Sequence, residues 1–129
     1  MSKSTVLLVE DEVLIRAILA DALIDEGYEV VEAGHVLQAA AALGQNPIFD
    51  FLITDVDMPG ALNGFDLAAT VAKVAPSTKI IVTSGRRIAP DILSDWYFLP
   101  KPYSIDHMME LLREHTVTFG APSKMIMAV

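Results

Sequence analysis

Acidic, hydroxyl and lysine side chains follow four apolar runs of this sequence, each where a run ends. They are Glu10 and Asp11 after the first run, Asp55 at the end of the third, Ser84 after the fourth and Lys101 after the fifth. Grouped carboxylates raise each other's pKa unless a cation lies between them. Mg²⁺ binds one or two carboxylates together with water and phosphate oxygens. These residue types therefore predict a magnesium-dependent pocket for phosphoryl chemistry.

Asp55 is the candidate nucleophile of this pocket. A carboxylate that attacks phosphorus becomes an acyl phosphate. The transferring group spreads negative charge over its oxygens, so catalysis needs positive charge and hydrogen-bond donors. Mg²⁺, the Lys101 ammonium and the Ser84 hydroxyl would supply them. Zinc is a poor candidate because no histidine or cysteine accompanies the cluster.

The apolar runs have the length of buried strands, and stretches of helical periodicity separate them. Strands are predicted over residues 5–9, 28–32, 51–54, 79–83 and 97–99, and helices over residues 15–23, 36–45, 65–74 and 104–115. This alternation predicts an α/β fold, a five-stranded parallel sheet with helices on both faces. In such sheets, sites form beyond the carboxyl ends of the strands. The candidate residues should therefore converge at one edge.

The connection between the fourth and fifth strands is short for a crossover. Only residues 85–96 separate them, and Gly85 and Pro90 lie within that stretch. A full crossover needs a dozen or more residues. A shortened or degenerate fourth helix is therefore predicted over residues 86–95.

Composition indicates a single globular domain. The chain has 129 residues, with a core predicted over 5–115 and a tail over 116–129; 53% of residues are hydrophobic and 20% charged. A net charge of −8 without a sizeable basic cluster argues against direct nucleic-acid binding. No apolar run is long enough for membrane insertion. The absence of cysteine and of a signal-peptide pattern makes a cytoplasmic protein the simplest interpretation.

Four segments of the chain carry a resemblance to a known family. They are LLVED at 7–11, TDVDMPG at 54–60, VTSG at 82–85 and KPY at 101–103. In order and spacing they resemble the receiver domains of two-component response regulators. The similarity extends over about residues 5–115. It implies a doubly wound, flavodoxin-like (βα)5 fold.

The resemblance implies a signalling switch rather than an enzyme, beyond promoting its own phosphorylation and slow dephosphorylation. Asp55 would accept a phosphoryl group from a sensor histidine kinase or a histidine phosphotransfer protein. The chain is expected to be a stand-alone receiver that signals through protein contacts. Its downstream partner is not identified, and a homodimer is compatible with the same resemblance.

The resemblance also implies roles for individual residues. Asp11 and Asp55 would bind Mg²⁺ directly, with Glu10 assisting through water and the Asp57 backbone carbonyl as a further ligand. The phosphoryl group would be held by the Ser84 hydroxyl and paired with Lys101. Ser84 and Phe98 would be the switch residues, and the Lys101–Pro102 peptide would be cis. Serine stands at 84 where threonine is common in the family, and the shortened fourth helix puts the usual output surface in doubt.

Two alternatives stay open at this point. One is a small phosphatase resembling the haloacid dehalogenase superfamily, with Asp55 as nucleophile and Asp57 completing an Asp-x-Asp pair. Its motif order differs, since that family has its acidic pair after the lysine. The other is a binding module with a receiver fold and no phosphorylation. Asp57 is either a loop carboxylate or, two residues past the acceptor, a group that tunes water attack on the acyl phosphate. For Arg86 and Arg87 a partner contact is the alternative, and a solvated loop is the simpler interpretation.

Overall fold

Nine helices and strands follow one another along the part of the chain described by the computed structural model, residues 3–58, 60, 62–86 and 96–116. The strands are Thr5–Val9 (β1), Glu29–Ala33 (β2), Phe51–Asp55 (β3), Lys79–Ser84 (β4) and Tyr97–Pro100 (β5). The helices are Val13–Asp25 (α1), Val36–Gln45 (α2), Gly64–Val74 (α3) and Ile105–His115 (α4). Each predicted strand and helix in these ranges is present, with ends shifted by a residue or two.

The five strands form one parallel sheet in the order β2-β1-β3-β4-β5. This is the doubly wound, flavodoxin-like order, which confirms the predicted fold class. The chain runs from β1 outward to β2 and then returns to β3 on the other side of β1. The strand order therefore reverses between β1 and β3, and ligands bind such sheets beyond the carboxyl ends at that point.

Two apolar clusters cover the two faces of the sheet. Alternate residues of β1 point to opposite sides: Leu7 and Val9 belong to one cluster, Val6 and Leu8 to the other. The first cluster packs the sheet against α2 and α3, and the second packs it against α1 and α4. Because both faces are covered, residues 6–9 of β1 and 51–53 of β3 are continuous apolar runs, as is typical of buried parallel strands.

Helix ends follow local side-chain chemistry. The Ser104 side chain accepts the His107 N–H and so caps α4. Asn63 caps α3 and forms a capping box with Asp66. Gly27 follows α1 with a φ of +104°, a left-handed conformation that glycine adopts without a steric penalty. These caps fix where the helices begin and end, and so the loops that carry the site.

Two predictions concern residues outside the described ranges. The shortened fourth helix was predicted over 86–95, of which only Arg86 is described, and the tail over 116–129, of which only Thr116 is. Four helices, α1 to α4, lie within the described ranges, which is consistent with a shortened helix between β4 and β5. Among the described helices, none has both the length and the apolar character to cross a bilayer.

Candidate functional site

Asp55 lies at the carboxyl end of β3, beside the point where the strand order reverses. It is 4% exposed. Its two carboxylate oxygens have different partners: Oδ2 lies 3.1 Å from Lys101 Nζ, and Oδ1 accepts the Asp57 N–H at 3.3 Å. The carboxylate is thus held in a fixed orientation at the sheet edge.

Lys101 places a cation between two buried carboxylates. Its Nζ lies 3.1 Å from Asp55 Oδ2 and 3.1 Å from Glu10 Oε1, with Glu12 Oε1 farther away at 3.9 Å. Lys101 directly follows β5, and its N–H donates to the Ser84 carbonyl at 2.8 Å. The Lys101–Pro102 peptide is cis, as the resemblance implied.

Three carboxylates meet at this edge in an arrangement suited to a cation. Glu10, Asp11 and Asp55 each offer an oxygen within 4.8 Å of the others. Glu10 is 2% exposed, and its second oxygen accepts the Glu12 N–H at 3.0 Å. An all-oxygen donor set at this spacing fits a hard dication such as Mg²⁺. The predicted metal ligands Glu10, Asp11 and Asp55 are therefore brought together.

Burial governs the protonation of this cluster. Burial raises the pKa of Asp55 above its ordinary value, although the Lys101 hydrogen bond and charge oppose this. Burial likewise raises the pKa of Glu10. The Lys101 pKa is lowered by burial, but hydrogen bonds to Asp55 and Glu10 outweigh that and leave it above its usual value. Mutual repulsion was the cause expected from the sequence for raised carboxylate pKa values; desolvation is the larger cause.

Ser84 lies at the end of β4, but its hydroxyl contacts Asp57 rather than Asp55. The Ser84 Oγ donates to Asp57 Oδ2 at 3.1 Å and accepts the Arg86 N–H at 3.0 Å. The Arg86 guanidinium pairs with the other Asp57 oxygen, Oδ1, at 2.6 Å. Asp57 is therefore a loop carboxylate with two partners, and Arg86 is a solvated loop residue, 65% exposed, that pairs with it. The position of Arg86, two residues after β4, was the signal in the sequence that could have indicated this contact.

Gly64 brings the start of α3 against the backbone of Asp55. A Cβ at this glycine would overlap the Asp55 carbonyl oxygen and lie 2.9 Å from Val56 Cα. The Gly64 N–H donates to the Val56 carbonyl at 3.2 Å. A residue without a side chain is thus needed where α3 approaches the end of β3.

Two aromatic residues flank the site. Phe98 lies in β5, half-buried, and packs against the apolar cluster on the α2 and α3 face. Tyr103 follows the cis peptide, and burial, with the Glu10 charge, raises its pKa to about 12. Tyr103 also lines an apolar groove beside Lys101, together with Ile15, Ile18, Pro102 and Ile105.

Comparisons with known proteins agree with this geometry. A family model of the response regulator receiver domain matches residues 6–113. The DNA-binding transcriptional regulator NtrC of Azospirillum brasilense is 33% identical over 119 residues, which cover 87% of this chain and 24% of NtrC. The transcriptional regulatory protein PdtaR of Mycobacterium tuberculosis is 35% identical over 108 residues, which cover 81% of this chain and 52% of PdtaR. This chain therefore spans about a quarter of NtrC and about half of PdtaR.

Solved structures give the same assignment. The response regulator TrrA of Thermotoga maritima, in complex with Mg²⁺–BeF, has a TM-score of 0.77 and 25% identity, covering 88% of this chain and 99% of TrrA. These matches give no support to the haloacid dehalogenase alternative. The sheet order, the acidic edge and the family match over residues 6–113 together show that the chain belongs to the response regulator receiver domains, the phosphoacceptor switches of two-component signalling.

Proposed function

We propose that Asp55 is the residue of this receiver that accepts the phosphoryl group. The observation that supports this most strongly is the setting of its carboxylate. It is buried at the sheet edge, lies 3.1 Å from Lys101 Nζ, and shares an acidic cluster with Glu10 and Asp11. A carboxylate so placed combines a nucleophilic oxygen with a cation that offsets the charge of an incoming phosphoryl group.

The proposed transfer moves a phosphoryl group from a phosphohistidine. An Asp55 carboxylate oxygen bonds to phosphorus as the nitrogen–phosphorus bond of the donor breaks. The donor nitrogen keeps the electron pair and takes a proton from solvent. Lys101 offsets negative charge on the group, and the Ser84 hydroxyl donates to one of its oxygens.

The acidic cluster is the proposed magnesium site. Asp11 and Asp55 would bind the ion directly, Glu10 through water, and the Asp57 backbone carbonyl as a further ligand. Bound there, the ion supplies positive charge that stabilises the transferring phosphoryl oxygens. The complex of TrrA with Mg²⁺–BeF supports this proposal for a protein of the same fold.

A histidine kinase or histidine phosphotransfer protein is the proposed donor. The apolar groove beside Lys101, lined by residues such as Ile15, Ile18 and Tyr103, would give such a protein a surface next to the acceptor. The cytoplasm is the proposed location. We also propose that the output of this receiver is a protein contact.

The switch residues are proposed to be Ser84 and Phe98. Movement of the Ser84 hydroxyl toward a phosphoryl group on Asp55 would empty space near the end of β4. Phe98, half-buried on the neighbouring strand β5, would change rotamer and alter the surface. Phosphorylation would thus shift the population of two surface states.

Intact mass measurement tests the proposal. Incubation with acetyl phosphate and Mg²⁺ should add the mass of one phosphoryl group, and the Asp55→Asn variant should gain none. Asp50→Asn is a matched control, because Asp50 caps the opposite end of the sheet by accepting the Thr5 N–H at 2.7 Å. A mass gain that survives Asp55→Asn contradicts the assignment.

The same material separates the receiver from the phosphatase alternative. A receiver should form a stoichiometric acyl phosphate that decays by slow hydrolysis. A phosphatase would hydrolyse p-nitrophenyl phosphate over many cycles. Sustained turnover that is lost in Asp55→Asn would overturn the receiver assignment in favour of the phosphatase.

A further inference from the structure

Asp57 joins two groups that lie beside the proposed acceptor. Its Oδ2 accepts the Ser84 hydroxyl at 3.1 Å, and its Oδ1 lies 2.6 Å from an Arg86 guanidinium nitrogen. The Arg86 N–H closes the arrangement by donating to the Ser84 Oγ at 3.0 Å. We call Asp57, Ser84 and Arg86 the Asp57 cluster.

The hydrogen bonds of Ser84 leave its hydroxyl without a second proton to donate. A serine hydroxyl has one O–H donor, and here that donor is directed to Asp57. Its acceptor side already receives the Arg86 N–H. Ser84 is 0% exposed, so water does not compete for the hydroxyl. Ser84 must therefore leave Asp57 before it donates to any group on Asp55.

Arg86 is held in a similar way. Its guanidinium pairs with Asp57 partly in solvent, with side chains 65% and 43% exposed. A guanidinium binds phosphate oxygens as readily as carboxylate oxygens, through paired hydrogen bonds. The Arg86 nitrogen that is paired with Asp57 Oδ1 is not available to a phosphoryl group while that pair is intact.

We infer that in the unphosphorylated receiver the Asp57 carboxylate binds the Ser84 hydroxyl and the Arg86 guanidinium, the two groups that would otherwise bind a phosphoryl group. After phosphorylation, both groups leave Asp57 and bind the phosphoryl oxygens. This inference rests on the proposed role of Asp55. A phosphoryl group carries nearly two negative charges and three acceptor oxygens, so it is the stronger partner for both groups. Asp57 is adjacent, since its N–H donates to Asp55 Oδ1 at 3.3 Å. Asp57 is thus a positioning residue that restrains phosphorylation.

The Asp57→Asn variant tests the inference because it keeps the shape of the side chain and removes its charge. A neutral amide binds Ser84 more weakly and does not form an ion pair with Arg86. The rate constant for mass gain with acetyl phosphate and Mg²⁺ should rise about tenfold, the effect of no longer breaking a hydrogen bond to an ionised group.

Removal of one negative charge near the site would also favour an anionic donor in general, so the control must isolate the cluster. The substitution is therefore repeated in a Ser84→Ala/Arg86→Gln background. There a general charge effect of Asp57→Asn persists at the same ratio, whereas the effect through the Asp57 cluster falls below about twofold. Circular dichroism confirms that each variant is folded.

The outcomes separate the two claims. A tenfold gain that falls below twofold in the double-variant background supports the inference. An equal gain in both backgrounds, or none in either, overturns it while leaving the role of Asp55 intact. If the wild-type chain gains no mass at all, the proposed function itself fails, and this inference fails with it.

Discussion

Gly64→Ala should disrupt the site through backbone contact alone. The added Cβ would overlap the Asp55 carbonyl oxygen and would lie 2.8 Å from the Asp55 carbonyl carbon and 2.9 Å from Val56 Cα. Even the two carbon contacts are at least half an ångström short of the optimal separation of about 3.5 Å between carbon atoms. All three neighbours are backbone atoms, so no side chain can rotate away. The start of α3 must move, or the end of β3 must.

The size of the effect follows from that geometry. Overpacking in a well-packed region costs about 1 to 3 kcal/mol. Because the neighbours are rigid backbone, the loss in free energy of unfolding for Gly64→Ala should be near the upper end, about 3 kcal/mol. The better helix propensity of alanine offsets less than about 1 kcal/mol of this loss. For a domain of this size, a net loss of about 2 kcal/mol lowers the Tm by about 8 °C.

Gly44→Ala is the matched control. Gly44 lies near the end of α2, and a Cβ added there would have nothing within 4 Å of it, so the same substitution meets no steric contact. Alanine is favoured over glycine within a helix by about 0.5 to 1 kcal/mol. The control should therefore raise the free energy of unfolding while Gly64→Ala lowers it.

Urea denaturation followed by circular dichroism measures both variants, and intact mass after acetyl phosphate treatment measures Asp55 reactivity. Gly64→Ala should lose stability and also phosphorylate more slowly, because the displaced carbonyl belongs to Asp55, the proposed acceptor. A Gly64→Ala free energy of unfolding within about 0.5 kcal/mol of the wild type, a difference usual for a surface substitution, would refute the steric reasoning.

Three further predictions concern charge at the same edge, and a fourth concerns the Tyr103 phenol beside it. Mg²⁺ at ten times its Kd should stabilise the wild type by about 1.4 kcal/mol, seen as a higher Tm in calorimetry, and Asp11→Asn should abolish the gain. The folded pKa of Asp55 is raised, so its contribution to stability is full below its ordinary pKa of 3.8 and is lost as pH rises through the folded value. Without Mg²⁺, Asp55→Asn should therefore become more stable than the wild type as pH rises towards 7, measured by Tm; no pH dependence of the difference contradicts this. The pKa of Tyr103 is raised from its ordinary value of 10.0 to about 12, so the wild type should lose stability as pH rises from 10 to about 12. Tyr103→Phe should lack this loss in alkaline denaturation curves. Lys101→Met should slow the mass gain at least about tenfold, whereas Lys79→Met, at the start of β4, should leave it within about twofold.

The backbone of the site could be located from the sequence because apolar runs mark buried strands. Once β1, β3, β4 and β5 are parallel neighbours, the residues that follow them must meet at one edge, and Asp55 and Lys101 do so. The reversal of strand order between β1 and β3 also explains why Glu10 and Asp11 join them. These outcomes depend on topology, which an alternating pattern specifies well.

Side-chain contacts within loops were harder to predict from the sequence. The spacing predicted that Ser84 would be at the edge, but not that its hydroxyl would donate to Asp57, because a hydroxyl rotor follows whichever acceptor lies nearest. The Asp57–Arg86 pair depends on the paths of two loops after β3 and β4. His35 gave no chemical signal in the sequence, yet its Nδ1 accepts the Gln38 N–H and caps α2. Local contacts of this kind depend on backbone dihedral angles that composition does not encode.

The charges at the sheet edge explain why a cation and a phosphoryl group should depend on each other here. The ammonium of Lys101 offsets one of the three clustered carboxylates, which leaves two negative charges when all three are ionised. Burial makes that ionised state costly, as the raised pKa values of Glu10 and Asp55 indicate. The negative charge of the cluster would also repel an anionic phosphoryl donor. A dication bound there would cancel both charges, so Mg²⁺ would both stabilise the ionised cluster and remove the repulsion that keeps a phosphoryl donor away from Asp55, the proposed acceptor.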